Sequence, residues 1–382
     1  MRKRSTVALV RCENYGQEAI LSAVEKGLSL IGGTRHFIKE GEKILIKPNI
    51  LVGDTPDKCV GPHPMVFRSV ATAFKNAGAR LSYGDSPGFG NPRGNARKAG
   101  FQEIADEMGI PFADFNNAVT LPNPDGKLVN KFEIAQGVAE SDGLVSISKL
   151  KTHALTRITG AIKNQFGCIP GSRKAEFHSV LPNALQFSKM LVDLNLLLKP
   201  RLYIMDGIMA MDGNGPRNGN PCAMKVLLFS TDPVALDSIV CKMIGLNPKL
   251  VETLVVGEEF GLGTVQNINI VGDPLEDFIN LDFNVNRSAA STTTGTSFLS
   301  TNFMRQYTAP RPTIKPEACT RCGTCVNVCP VEPKALSWMD KNHKEPPVYD
   351  YSLCIRCYCC QEMCPENAIF VKVPLLGKII HR

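Results

Sequence analysis

Two cysteine runs near the C-terminal end constrain this chain more than anything else in it. Cys319, Cys322, Cys325 and Cys329, followed by Pro330, and Cys354, Cys357, Cys360 and Cys364, followed by Pro365, repeat one spacing, C-x2-C-x2-C-x3-C-P. Thiolate is the soft ligand that suits iron and sulfide, and two-residue gaps let a tight loop aim three sulfurs at one cube. In this pattern the first three thiolates of a run wrap one [4Fe–4S] cluster and the fourth crosses to the other. The expectation is therefore two [4Fe–4S] clusters, one held by Cys319, Cys322, Cys325 and Cys364, the other by Cys354, Cys357, Cys360 and Cys329. A structural zinc site would use pairs of C-x2-C with four ligands per metal, and two identical four-cysteine runs weigh against it. Of the 14 cysteines, nine lie between 319 and 364, while Cys12, Cys59, Cys168, Cys222 and Cys241 are scattered and read as free thiols. That asymmetry points to metal rather than disulfides, in a reducing, cytoplasmic compartment. Cys359 falls outside the ligand pattern and reads as a bystander.

Residues 314–373, which carry these runs, resemble the bacterial-type ferredoxin module. The resemblance implies a small pseudo-twofold α+β dicluster domain with its clusters close enough for fast electron exchange. The stretch between the runs, Asp340 to Pro347, is longer and more polar than in compact ferredoxins and is expected to be a surface loop. Residues 287–313, rich in Ser, Thr and Pro, read as a linker, and 374–382 as a short apolar and basic tail.

The first 286 residues alternate β-rich and amphipathic helical runs. Strands are expected at Thr6–Arg11, Lys43–Lys47, Ala79–Gly84, Gly143–Ser148, Leu202–Asp206, Val226–Ser230 and Ile268–Gly272, and helices at Gln17–Leu30, Pro64–Asn76, Asn95–Met108, Ser179–Leu198 and Pro233–Ile244. This is an α/β pattern, a mostly parallel sheet flanked by helices on both faces. The formal charge of +7 is modest for 382 residues and the only basic block is Met1-Arg2-Lys3-Arg4, so nucleic acid is not an expected partner. No apolar run approaches the length of a membrane span. The apolar stretch after the basic start ends at Arg11, too early for an export signal.

Several expected strands end in polar, glycine-rich turns: Lys47-Pro48-Asn49, Gly84-Asp85-Ser86-Pro87-Gly88, Asp206-Gly207 and Met211-Asp212-Gly213-Asn214-Gly215-Pro216. Ligands of open α/β sheets sit beyond the carboxyl ends of the strands, which makes Lys47, Asn49, Asp85, Ser86 and Gly88 candidate cofactor-binding residues. Tight connection alone explains any one of these turns equally well. There is no P-loop, and Gly88-x-Gly90-x3-Gly94 lacks the dinucleotide spacing. The densest polar constellation runs from Ser148-Lys149-Leu150-Lys151-Thr152-His153 through Thr159 to Asn164 and on to Gly171, with Arg173 and His178 close behind. Lysine offers a compact charge for carboxylate or phosphate, histidine can carry protons near neutral pH, and glycines let backbone N–H groups approach an anion. Lys151, His153 and Lys163 are the candidate catalytic residues. The alternative is a solvated basic loop. Among the aspartates, Asp206 and Asp212 are weaker candidates, and Asp232 before Pro233 reads as a helix cap.

These residues, with the Asp232–Asp237 segment, resemble the domain-of-unknown-function family 362 over most of residues 5–275. Many members of that family carry an appended ferredoxin module; the resemblance implies an iron–sulfur protein but no reaction. The segment from Gly160-Ala161-Ile162-Lys163-Asn164 to Pro170-Gly171 is also similar, over a short span, to the lysine segment of nickel-pincer lactate racemases, which implies cofactor anchoring for Lys163 and proton abstraction for His153. The expected function is an oxidoreductase in which the clusters exchange electrons with a small anionic substrate or cofactor in the α/β domain. The alternatives are an electron carrier or maturation protein whose large domain docks a redox partner, and a proton-transfer enzyme with structural clusters. The first requires a pocket at the basic constellation close to a cluster.

Overall fold

The computed structural model describes residues 4–171, 173–289 and 307–380. Met1 to Lys3 of the basic start, residues 290–306 of the expected linker and the last two residues of the tail lie outside the described residues. In chain order the large domain runs β1 (Ser5–Arg11), α1 (Gln17–Leu30), β2 (Lys43–Pro48), α2 (Pro64–Asn76), β3 (Arg80–Tyr83), α3 (Pro92–Lys98), α4 (Phe101–Met108), β4 (Ala118–Pro122), β5 (Lys131–Ala135), α5 (Gln136–Ala139), β6 (Gly143–His153), β7 (Arg157–Ile158), α6 (Gly160–Asn164), α7 (Arg173–Val180), α8 (Ala184–Leu198), β8 (Leu202–Asp212), β9 (Asn220–Ser230), α9 (Pro233–Met243), α10 (Glu252–Glu259) and β10 (Ile268–Gly272).

The main sheet has the order β10-β1-β9-β8-β6-β2-β3, with β7 added to β6. Every pair along that order is parallel except those of β9, which is antiparallel to both β1 and β8. The strands are apolar on both sides, as a sheet covered on both faces requires. In β1, Val7 and Leu9 enter the core that holds α8, α9 and α10, while Ala8 and Val10 enter the one that holds α1, α2 and α4.

Where the structure departs from the expected elements, local chemistry explains it. The single helix expected over 95–108 is two, because Gly100 adopts φ +79 between α3 and α4. Pro182 divides the helix expected over 179–198; α8 restarts behind Asn183, whose side chain accepts from the Gln186 N–H. Strands β6 and β8 run past their apolar cores to His153 and Asp212, and β9 begins at Asn220. Lys149 and Lys151 are therefore strand residues, each about 1% exposed, and not part of a solvated loop.

The C-terminal module begins at Arg311, three residues before the expected boundary of 314, because Arg311–Ile314 pairs antiparallel with Ile369–Lys372. A second pair, Leu336–Ser337 with Val348–Tyr349, brackets the polar stretch expected as a loop. Its two cysteine loops are folded alike. Arg321 and Gly323 in the first, and Arg356 and Tyr358 at the matching places in the second, all have left-handed backbone, with φ between 59 and 76. A short helix follows each loop, Thr324–Asn327 and Cys359–Met363.

The turn at 211–216, expected at a ligand site, instead docks this module. It forms the tip of the β8–β9 hairpin. The Gln361 side-chain amide donates to Asn214 O and Oδ1, both at 2.9 Å, and Asn214 Nδ2 donates to Ile369 O at 2.9 Å. Arg217 donates to Met363 O while forking onto Asp54. Asn218 donates to Cys364 O.

Candidate functional site

The eight cysteines of the two runs gather in two groups of four. One small void is lined by Cys319, Cys322, Cys325 and Cys364, and a second by Cys329, Cys354, Cys357 and Cys360. Cys359 lines neither. The chemistry of each quartet fits a cluster. Burial pushes the Cys325 thiol up to about 12, and the proximity of Cys364, Cys319 and Cys322 adds to it. Four thiolates converging in a buried place repel one another, and iron–sulfide is the charge that would hold them. Sulfur also has hydrogen-bonding neighbours: the Tyr349 hydroxyl lies 3.3 Å from Cys360 Sγ, and Ala368 N–H donates to Cys364 Sγ, contacts of the kind that tune a cluster. Among the described residues no three His, Cys, Asp or Glu side chains converge on a single metal ion; each quartet surrounds a void instead of a point.

Between the two modules lies a larger cavity of about 290 Å³. Its large-domain wall comes from Asn49 beyond β2, from Asp85, Ser86 and Gly88 beyond β3, and from α6 and α7, which contribute Lys163, Asn164, Lys174 and His178. Its opposite wall is Asn327 to Pro330 with Cys359, Glu362 and Met363. Cys329 and Pro330 line this cavity and also the second cysteine void.

The floor is a buried ion pair: Lys47 Nζ, at the end of β2, lies 2.8 Å from Asp85 Oδ1. Lys47 also donates to Asn164 Oδ1 at 3.1 Å, and Asp85 Oδ2 accepts the Ile50 N–H at 2.8 Å. Lys174 donates to Ser86 O, Ser86 Oγ and Pro87 O within 2.9 Å; burial pulls its ammonium down to about 7, against the opposing pull of Asp85.

Lys163 differs from the other lysines. It lines the cavity, and among the described residues nothing offers its ammonium a hydrogen bond or an ion pair; the Phe166 ring lies 5.9 Å from Nζ. Burial lowers its pKa, with Glu362 the largest opposing influence. Its helix, α6, is held from below. Asp237 accepts the Ala161 and Ile162 N–H groups at 2.7 and 3.2 Å, and Gly160 has φ +62 where any Cβ would meet the Asp237 carboxylate. Only glycine suits that position.

His153 and Glu362 meet from opposite modules, Nε2 to Oε1 at 2.9 Å. His153 Nδ1 accepts the Leu155 N–H at 3.0 Å, so that nitrogen carries no proton. Burial and Lys163 push His153 down to about 4; the neutral ring keeps its proton on Nε2, toward Glu362. For Glu362 burial opposes ionisation, and His153, Lys163 and His178 override it, to about 2. His178 is likewise held near 4 by burial, and its Nδ1 has no hydrogen-bond partner among the described residues.

Of the sequence candidates, Asn49, Asp85, Ser86, Gly88 and Lys163 come together around the cavity, and His153 reaches its Glu362 wall. Lys47 lies beneath it. Lys151 does not line it: its ammonium, brought to about 7 chiefly by burial, donates to Asn49 Oδ1 and Val60 O. Asp206 forms a separate buried network with Lys149, at 2.9 Å, and Tyr15. Asp212 accepts Asn284 N–H, Asp232 caps α9, and Arg173 pairs with Glu133 at the surface. Sequence reasoning passed over Lys174, whose only signal was its place beside Arg173, and Glu362, which had none.

A family model described as Domain of unknown function (DUF362) matches residues 44–242, and one described as a 4Fe-4S dicluster domain matches 318–368. The chain is 34% identical to a thylakoid-associated protein of Synechocystis over 258 residues, 67% of this chain and 80% of that protein. It is 40% identical to an uncharacterized ferredoxin of Methanocaldococcus jannaschii over 57 residues, 15% of this chain and 71% of the ferredoxin. Among solved structures, the lactate racemase apoprotein from Thermoanaerobacterium thermosaccharolyticum aligns at 14% identity with a TM-score of 0.41, over 64% of this chain and 57% of that one.

Proposed function

The chain belongs to the family described as Domain of unknown function (DUF362), whose description assigns no reaction, and from the cavity we propose that it is an iron–sulfur oxidoreductase acting on a small anionic substrate. Cys319, Cys322, Cys325 and Cys364 would hold one [4Fe–4S] cluster and Cys329, Cys354, Cys357 and Cys360 a second, and these supply or accept single electrons when bound. One observation carries the reading: the wall formed by Cys329 and Pro330 is shared between a cysteine quartet and a cavity that contains an unpartnered ammonium. A pocket of this kind, with few convergent polar groups and perturbed ionisations, is the usual signature of a reaction site.

The residues divide the work. Lys163 binds the anion, and the His153–Glu362 pair holds a proton at Nε2 behind the cavity wall that Glu362 lines. Electron transfer and proton transfer then meet in a space screened from water by the docked module. The other quartet includes Cys322, which is exposed, and would face a redox partner protein. No helix among the described residues is long and apolar enough to cross a membrane; the reducing cytoplasm is the compartment that suits such thiols.

The test is anaerobic purification with iron and sulfide analysis, then reduction and stepwise addition of fractionated small anionic metabolites while the cluster absorbance is followed. The expected result is about eight irons per chain and reoxidation, or reduction, by one fraction, lost in Lys163→Met. Eight irons with no response to any fraction would overturn the enzyme reading in favour of an electron carrier.

A further inference from the structure

The charge and lining of the cavity narrow what it can hold. Three lysines stand at the cavity: Lys163 and Lys174 line it, and Lys47 lies beneath it. Lys47 is spent on Asp85. Lys174 is saturated by three oxygens of the Ser86–Pro87 turn. His153 and His178 are held neutral by burial. Among the described residues, the cavity ammonium without a partner is that of Lys163. Two further residues of the cavity wall, Thr159 and His178, each carry a buried polar atom, Oγ1 and Nδ1, without a hydrogen-bond partner among the described residues. A polar corner of this composition is completed by a single carboxylate. A dianion would bring a second negative charge to a cavity whose other ammonium groups, Lys47 and Lys174, already have partners.

Away from that corner the lining changes character. Leu51, Phe89, Phe166, Val328 and Met363 present carbon to the cavity. A highly polar skeleton would find no partners there for its hydroxyl groups, whereas an apolar one gains from leaving water. The volume, at the lower end of the range for small-molecule pockets, excludes a dinucleotide.

We infer that the cavity takes a monocarboxylate with an apolar body, its carboxylate on Lys163 and its carbon skeleton against Phe89, Phe166, Val328 and Met363. This rests on the oxidoreductase reading above and names its substrate class.

The experiment is calorimetric titration of the anaerobically purified, cluster-loaded protein with hexanoate, hexanamide, adipate and inorganic phosphate, run beside a spectral titration of the clusters with the same four compounds. Hexanoate is expected to bind, and hexanamide and adipate to bind at least about tenfold more weakly, the value of one charge-assisted contact. Lys163→Met, which keeps the length of the side chain, removes the preference for hexanoate over hexanamide; Lys163→Arg, which keeps the charge, retains it and shows that the fold tolerates change there. Tighter binding of adipate or phosphate than of hexanoate, or an undiminished preference in Lys163→Met, overturns the monocarboxylate assignment. If the clusters still respond to the tighter-binding anion, the oxidoreductase reading stands without it. If none of the four binds and none changes the cluster spectrum, both fail.

Discussion

Replacing Asp85 by asparagine isolates the ion pair on which the cavity floor rests. Lys47 and Asp85 are 0% and 2% exposed and lie 2.8 Å apart. Asparagine is nearly the same shape and can still accept the Ile50 N–H, so the turn after β3 keeps its backbone contact; what disappears is the charge opposite Lys47. Breaking one side of a buried pair costs about 3–5 kcal/mol, because the surviving charge stays buried. For a domain of this size each kcal/mol is worth roughly 2–4 °C, so the apparent melting temperature should fall by roughly 6–20 °C. Lys47→Met leaves the Asp85 carboxylate in the same difficulty and should cost a similar amount. The double variant Lys47→Met, Asp85→Asn buries no unpaired charge, and its loss should be smaller than the sum of the singles by on the order of 2–3 kcal/mol. Urea denaturation followed by far-ultraviolet circular dichroism under anaerobic conditions measures all four proteins. If the double variant loses the sum of the single losses to within about 0.5 kcal/mol, the two charges do not depend on each other and the reasoning is wrong.

Two further predictions test the ligand set and the support of α6. Cys329→Ser should lower iron content and alter the low-temperature electron paramagnetic resonance of the cluster beside the cavity, whereas Cys359→Ser, outside both voids, should leave both unchanged; iron loss in the latter would refute the assignment. Burial raises Asp237 to about 7, so the folded protein keeps a proton there that the unfolded chain gives up near pH 4, and this group makes stability fall as pH rises between those values. Asp237→Asn cannot ionise, so its melting temperature relative to the parent should climb from pH 5 to pH 8 in a scanning-calorimetry series; a constant difference across the series would refute the shift.

What was legible in the sequence is what is local. The cysteine spacing specifies both loops because the first three cysteines of each run, 319 to 325 and 354 to 360, lie close together in the chain, and the apolar strands of the large domain announce themselves as continuous runs. The strand extensions were hidden for the opposite reason. Lys149, Lys151 and His153 belong to β6 yet carry the side chains of a surface turn, and the tertiary structure keeps them buried by giving each polar group a distant partner: Asp206 for Lys149, Asn49 and Val60 for Lys151, Glu362 for His153. No window along the chain contains both halves of such a pair.

Glu362 is the sharpest case, and it shows why the two modules make one site. It lies in the same short helix as Cys360, where a glutamate after a cluster loop would ordinarily face water. Here its helix is drawn onto the large domain by Gln361 and Met363 O, both bound by the β8–β9 hairpin tip, and the residue between them is carried into the cavity beside His153. The same docking brings Cys329 into the cavity wall. A module that served only as an electron store would need neither contact. On the function proposed above, a carboxylate, an imidazole with a defined tautomer and Cys329 gathered at one cavity with the ammonium of Lys163 would let electrons and a proton reach a bound molecule from the same side.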